Sequence, residues 1–221
     1  MDLLIDQFFN TAIMAQAWPI LWRGLQMTLL LCLTAVPLGL LGGLLVALAG
    51  RVRALRWTVV ALVDLLRAVP PLVLLLFLYA GLPFAGIHLP PFLAALLALG
   101  LNASSFYGEI WRAGIDSVGH GQWEAARSTG LGHRQTLTAV ILPQAARAVL
   151  PDLVSNTIEV VKLTSLASVV ALPELLYSAD MARSVTYNAS PLMLAAGLYL
   201  ALLWPLVRLL ARFEHRSAGS R

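Results

Sequence analysis

Residues 24–50 read GLQMTLLLCLTAVPLGLLGGLLVALAG and hold no charged residue in 27 positions. A helix of that length crosses a hydrocarbon core about 30 Å thick with some tilt, so the chain reads first as a membrane protein. Gly39, Gly43 and Ala47 recur at four-residue spacing on one face of this first span, a pattern that admits another helix at close range. It fits packing within the chain and a seam between subunits alike. Composition extends the membrane reading to the whole chain. Of 221 residues, 59 % are hydrophobic and 12 % charged, and the mean hydropathy is +0.81, whereas a soluble domain carries about twice that charge. At about 20 residues per span there is room for about five spans and about a hundred residues of connections. Disordered, collagen-like and disulfide-stapled classes are excluded, and the single cysteine, Cys32, reads as a small core residue.

Further spans follow along the chain. Residues 68–108 are free of formal charge for 41 positions, enough for two spans. The divider is the cluster Gly81, Pro83, Gly86, Pro90 and Pro91, whose residues break helices. Span two is therefore expected over 57–82 and span three over 91–111. Residues 112–150 are the most polar part and read as a folded loop in which Gly119, Gly121, Gly130 and Gly132 mark turns. Span four is expected over 152–172 and span five over 184–207, where Pro191 after Ser190 suits a helix start. Residues 1–22 form an N-terminal segment outside or at the interface, and 213–221 a tail. The predicted class is an all-α polytopic membrane protein with five transmembrane helices.

Basic residues set the expected orientation. Fourteen of the fifteen are arginine, the other being Lys162. With the N-terminus outside, Arg51, Arg53, Arg56, Arg112, Arg127, Arg134, Arg147, Arg208, Arg212, Arg216 and Arg221 lie inside, against Arg23 and Arg183 outside. This is the usual cytoplasmic bias and predicts N-out and C-in, with the loop 112–150 cytoplasmic. It also accounts for the high pI without nucleic acid as a partner. A cleaved signal peptide is not expected, because Asp2 and Asp6 precede the first basic residue, Arg23.

Enzyme motifs are missing from the sequence. It contains no G-x-x-x-x-G-K-[S/T] loop, and Gly130-Leu131-Gly132 lacks the third glycine and preceding strand of a dinucleotide site. Neither H-E-x-x-H nor G-x-S-x-G occurs, and His88, His120, His133 and His215 have no metal-ligand spacing. The loop's most structured part, Gln122-Trp123-Glu124-Ala125-Ala126-Arg127-Ser128-Thr129-Gly130, reads as a short helix whose small residues suit docking. Such a knob fits a socket on a soluble partner or packs on its own membrane domain.

Glu124-Ala125-Ala126, Gly130 and Ile141-Leu142-Pro143 resemble the cytoplasmic loop signature of binding-protein-dependent ABC importer permeases. Glu109-Ile110, Arg112, Gly114-Ile115, Ser117-Val118, Gly121-Gln122, Leu142-Pro143-Gln144-Ala145, Arg147, Leu150-Pro151, Asn156, Lys162 and Thr164-Ser165-Leu166 resemble the polar amino acid branch, which includes histidine, glutamine, arginine and opine permeases. The resemblance spans nearly the whole chain. It implies a type I ABC importer permease fold, in which the chain is the permease subunit of an ATP-driven amino acid importer in the bacterial cytoplasmic (inner) membrane. The implied partners are an ABC ATPase dimer, a second identical or homologous permease, a periplasmic or surface amino-acid-binding protein and membrane lipid. It implies no cofactor on this chain, with ATP and Mg held by the ATPase. In the coupling loop Gly121 precedes the knob, Glu124 anchors it, Ala125, Ala126 and Gly130 shape it, and Arg127, His133 and Arg134 offer polar contacts. Four positions depart from the pattern. The usual Arg-Gly-Thr-Pro appears as Arg67-Ala68-Val69-Pro70, a loop proline is Gly119, and a small residue before the glutamate is Gly108. Losing the threonine removes a hydroxyl from the membrane interior and, where that hydroxyl meets substrate in relatives, shifts selectivity.

Charges in lipid are costly and face a bundle interior or an aqueous path. Asp64 with Arg67, Glu109 with Arg112, and Glu159 with Lys162 stand at i,i+3 spacing. The first two suit interface anchoring near span ends. Glu159 and Lys162, with Asn156, Thr164 and Ser165 on the same weakly apolar span, are the candidate substrate pathway, unless the pair only neutralises itself. The extra carboxylate of Glu159 leans toward a cationic amino acid. The alternative from another class is a stand-alone secondary transporter or channel, which predicts internal repeats or more spans.

Overall fold

A computed structural model describes the backbone of residues 2–218 and the side chains of 4–212. The described residues are helical, with no strand. Helix α1 covers Asp2–Phe9 and α2 Thr11–Ala49, entered through Asn10, whose side-chain oxygen accepts from the Ala12 and Ile13 amides at 3.1 Å each. Helix α3 (Arg56–Ala68) meets α4 (Pro71–Leu76), which runs on through a π-type turn (Phe77–Gly81) and a 3₁₀ turn (Leu82–Ala85). Then come α5 (Pro91–Ser117), α6 (His120–Ser128) and α7 (His133–Thr136), and, after a π-type segment (Leu137–Ile141), α8 (Leu142–Leu163) with a 3₁₀ extension (Thr164–Val170). Helices α9 (Leu175–Thr186) and α10 (Ser190–Ala218) close the chain. Four helical stretches are long and apolar enough to span a membrane, and a fifth is counted if α3 and the segment after it form one span.

Several boundaries move from those expected. Helix α2, which holds the first span, begins thirteen residues before the charge-free stretch, at Thr11 instead of 24. Span two is not continuous, for it bends by 99° between α3 and α4. The cause is Pro70-Pro71, since two consecutive residues without N–H cannot continue the ladder. Span three runs six residues past 111, to Ser117. Helix α8 begins ten residues before the expected span four, at Leu142, inside the stretch expected as the loop 112–150. Residues 184–186 end α9, and the fifth span starts at Ser190, with Pro191 in its first turn. Arg216 and Arg221, counted in the orientation, lie outside the described side chains.

Glycine decides the central packing. A Cβ on Gly39 would stand 2.7 Å from the Ala103 Cβ, on Gly42 2.2 Å from the Ser104 Oγ, and on Gly43 2.4 Å from the Tyr107 Cβ. From the other side, a Cβ on Gly100 would meet Leu38 at 2.5 Å and on Gly108 would meet Val46 at 2.8 Å. The four-residue pattern of the first span is thus a seam between α2 and α5 within this chain. Around it, Leu31, Ala35, Ala94, Ala95, Ala98, Leu99, Ala103 and Tyr107 form the main buried cluster.

A second junction lies at Glu174, fully buried and not singled out in the sequence. Its carboxylate caps α9, accepting from the Leu176 and Tyr177 amides at 2.9 and 2.7 Å, and takes the Tyr199 hydroxyl of α10 at 3.0 Å. Beside it the Leu175 amide donates to the Thr28 Oγ of α2 at 3.0 Å. One buried carboxylate with its donors thereby ties α9 and α10 at the place where α2 also joins.

Gly43→Leu is expected to destabilise the protein by about 3 kcal/mol or more through overpacking, read as a lower midpoint of thermal unfolding in detergent. Gly197→Ala, where nothing lies within 4 Å, should be neutral or stabilising by up to about 1 kcal/mol. Equal midpoints for Gly43→Leu and wild type would contradict the seam.

Candidate functional site

The loop between α5 and α8 is a pair of short helices held on the ends of longer ones. Val118 is extended and Gly119 opens α6. The helix begins at His120 and ends at Ser128, two residues ahead of the expected frame. Gly130 falls outside it at φ +88°, a left-handed conformation that glycine adopts without Cβ strain. The Thr129 hydroxyl donates to the Ala126 carbonyl at 2.7 Å and the Gly130 amide to Arg127 at 3.0 Å, closing the end. Gln135 accepts from the Gly132 amide at 2.9 Å, which starts α7. The Trp123 ring then stacks on His133 at 5.2 Å, joining the two short helices.

Arg51, read in the sequence only as an orienting charge, fixes this unit to the first span. Its guanidinium sits 5.9 Å from the Trp123 ring and bonds Asp116 at 3.1 Å. Gln144 at the start of α8 donates to Gln122 at 3.3 Å. Of the residues named for this loop, Gly121, Glu124, Ala125, Arg127, Gly130, His133 and Arg134 are exposed. Ala126 is buried and faces the chain's own interior. Among the described side chains Glu124, Arg127 and Arg134 make no ion pair, so this surface carries unneutralised charge.

The second candidate site is a cavity of about 440 Å³ at the break in span two. Its wall comprises Arg67, Ala68, Val69, Pro70 and Pro71, then Asn102, Ala103 and Phe106 of α5, and Asn156, Glu159, Val160 and Leu163 of α8. The proline pair explains how a cavity can exist here. The Leu66 carbonyl would accept from the amide of residue 70 in a continuous helix, and that residue is proline. Asn102 replaces the missing donor, its amide reaching the Leu66 oxygen at 3.2 Å. Asn156, also on the wall, buries its amide nitrogen with no partner.

Arg67 does not pair with Asp64, as the i,i+3 spacing suggested. It lies 3.8 Å from Glu109 and 5.1 Å from the Phe106 ring, both on α5. Glu109 also holds Arg112 at 2.6 Å and Arg112 reaches Asp116 at 3.5 Å, so the pairs form a chain of charges leading to Arg51. Glu159 and Lys162 do bond each other. Asn156 and Glu159 line the cavity, whereas Lys162 and Ser165 line a separate cleft against α10. Thr164 is fully buried, its hydroxyl donating to the Val161 carbonyl at 2.7 Å. Sequence reasoning missed Arg67, Asn102 and Phe106 as cavity residues, although Pro70-Pro71 was the available signal. Among the described residues no three of His, Cys, Asp and Glu are grouped to hold a metal.

The family model of the binding-protein-dependent transport system inner membrane component matches residues 39–218. The chain belongs to this family. It is therefore a multi-pass membrane protein of the ABC importer permease type. Among curated relatives, a probable amino-acid ABC transporter permease protein, YckA of Bacillus subtilis (strain 168), is 38 % identical over 178 residues, covering 80 % of this chain and 79 % of the relative. A probable glutamine ABC transporter permease protein of the same organism, GlnP, is 37 % identical over 202 residues, covering 89 % and 93 %. A chain in the crystal structure of an amino acid ABC transporter with histidines matches with a TM-score of 0.83 at 37 % identity, over 92 % of this chain and 96 % of that one.

Asn102→Ala should cost about 1–3 kcal/mol by leaving the Leu66 carbonyl without a donor. Pro70→Ala added to it restores an N–H and should recover part of that loss. A double variant no more stable than Asn102→Ala would show that the asparagine does not substitute for the absent amide.

Proposed function

We propose that this chain is the permease subunit of an ATP-driven importer of polar amino acids. The observation that carries the reading is the cavity at the broken span, whose wall offers one guanidinium, Arg67, one carboxylate, Glu159, and the amides of Asn102 and Asn156. An amino acid presents an α-carboxylate for Arg67 and an α-ammonium for the amide oxygens of the asparagines, which leaves Glu159 for a cationic side chain. Relatives named as amino acid permeases support the same substrate class. Glu159 gives the cavity a lean toward a second positive charge, hence a cationic amino acid. Val69, where the family pattern has threonine, leaves this wall without a hydroxyl.

The exposed positions of α8 support pairing. Asp152, Ser155, Glu159 and Lys162 are all exposed in the single chain and lie within about 80° around the helix. Such a stripe does not face lipid. A second permease, identical or homologous, covers it across a two-fold axis and encloses a watered path between the two. The N-terminus lies outside and the arginine-rich ends inside, following the charge bias. An ABC ATPase dimer in the cytoplasm, holding ATP and Mg, docks on the exposed face of α6 through Glu124, Ala125 and Arg127. A periplasmic or surface binding protein delivers the amino acid to the opposite face of the bacterial inner membrane.

Co-expression with the neighbouring ATPase and binding protein, reconstitution, and measurement of ATPase stimulation across a panel of amino acids test the reading. Stimulation by a polar amino acid is expected, and a chain that copurifies with no ATPase would overturn it. Glu159→Gln should lower uptake of cationic amino acids at least ten-fold and of neutral ones little; equal loss on both removes the cationic preference. Ala125→Trp should abolish stimulated ATP hydrolysis while the chain still inserts and folds. Ala126, being buried, is the wrong residue for that test.

A further inference from the structure

Over residues 4–9 helix α1 separates apolar from polar residues around its axis. At 100° per residue, Leu4, Ile5, Phe8 and Phe9 fall within an arc of about 140°, and Asp6 and Gln7 lie on the other side. All four apolar residues are exposed, from 39 % at Phe8 to 65 % at Leu4. The C-terminal end of α1 is bound to the bundle, at the turn between α9 and α10. The Ala189 amide donates to the Gln7 carbonyl at 3.0 Å, the Asn188 side chain to the Asp6 carbonyl at 2.8 Å, and the Asn10 amide to the Ser190 hydroxyl at 2.9 Å. With the Gln7 side chain donating to the Tyr187 carbonyl at 3.4 Å, these bonds hold the end of α1 on that turn and leave the apolar arc uncovered.

The depth of this clasp follows from α10. From Ser190 to Arg208 the helix has no charged residue, and those 18 steps rise about 27 Å, close to the hydrocarbon thickness of about 30 Å. Arg208 lies 4.7 Å from the Trp204 ring, an arginine and tryptophan pair suited to one membrane boundary. Ser190 then stands at the opposite boundary, and Asn10 and α1 with it. A second copy of the chain is a poor occupant for the arc. Four side chains offer a few hundred Å² at most, against the roughly 800 Å² per partner of a stable interface.

We propose that α1 is an interfacial foot, its Leu4, Ile5, Phe8 and Phe9 face sunk into the lipid boundary, and that it holds the α9–α10 turn at that depth. A helix of this kind binds by apolar area and lies in the membrane plane. The turn it holds carries Tyr187, in the left-handed region at φ 52° and 88 % exposed, so the foot also sets the height of an exposed aromatic on that face.

The test uses the full chain in phosphatidylcholine vesicles carrying a nitroxide on carbon 5 or carbon 12 of the acyl chain. Ile5→Cys is labelled with a bimane, and the unsubstituted chain, whose one cysteine is buried, gives the background. Quenching of at least two-fold by the carbon-5 nitroxide, weaker quenching by carbon 12, and little of either for Gln7→Cys are expected. No quenching at position 5, or equal quenching at 5 and 7, overturns the proposal. The first of those results is what water or a covering second copy would give. Phe9→Cys repeats the measurement should Ile5→Cys fail to fold. Ile5→Ser with Phe9→Ser should remove the chain's response to membrane depth, seen as at least a three-fold rise in bimane accessibility to aqueous iodide at a Tyr187→Cys label; unchanged accessibility would detach the turn from the foot.

Discussion

The closeness of α2 to α5 is the constraint on which the other parts depend. Lipid gives two apolar helices no hydrophobic reason to associate, so association rests on dispersion and on how near the backbones can come. Gly39, Gly42 and Gly43 on one helix and Gly100, Ala103 and Gly108 on the other remove the side chains that would hold them apart. With that seam fixed, α5 becomes the shared wall of the molecule. Its Asn102 and Phe106 line the cavity, its Glu109 and Asp116 carry the charge chain, and its end presents α6.

The cavity shows how a membrane helix can be broken without leaving backbone groups stranded. Removing an N–H in a medium without water is costly unless another donor replaces it. Pro70 removes the donor and Asn102, one helix away, returns it. Arg67, on the last turn before the bend, reaches across to Glu109 and Phe106 instead of pairing with Asp64. A charge that would otherwise anchor a span end is thereby turned into a lining group.

Much of this was legible in the sequence because the bilayer imposes long, charge-free runs. The first and third spans, the helix start at Ser190 and the glycine-bracketed loop could all be read from residues alone, and so could the family resemblance. What escaped depended on partners far along the chain. Pro70-Pro71 lies inside an apolar run, and a cluster of glycines and prolines ten residues later drew the span boundary to itself. Glu174 looks like a loop acid until Tyr199, Thr28 and two amides are brought around it. Spacing at i,i+3 identified Glu109 with Arg112 and Glu159 with Lys162, which are local, and failed for Asp64 with Arg67, which share α3 but where Glu109 of α5 offers Arg67 another carboxylate. Ala125 and Ala126 are indistinguishable in sequence, and only the packing of α6 tells which one faces outward.

Arg51 gives the short helix α6 a property that its size would not suggest. Held only by α5, a nine-residue helix on a glycine hinge would swivel, and a load placed on it would be lost in the hinge. Arg51 ties Trp123 and Asp116 to the end of α2 as well, so α6 is braced at two points on helices that are themselves fused along the glycine seam. Load on its exposed face is therefore shared between α2 and α5.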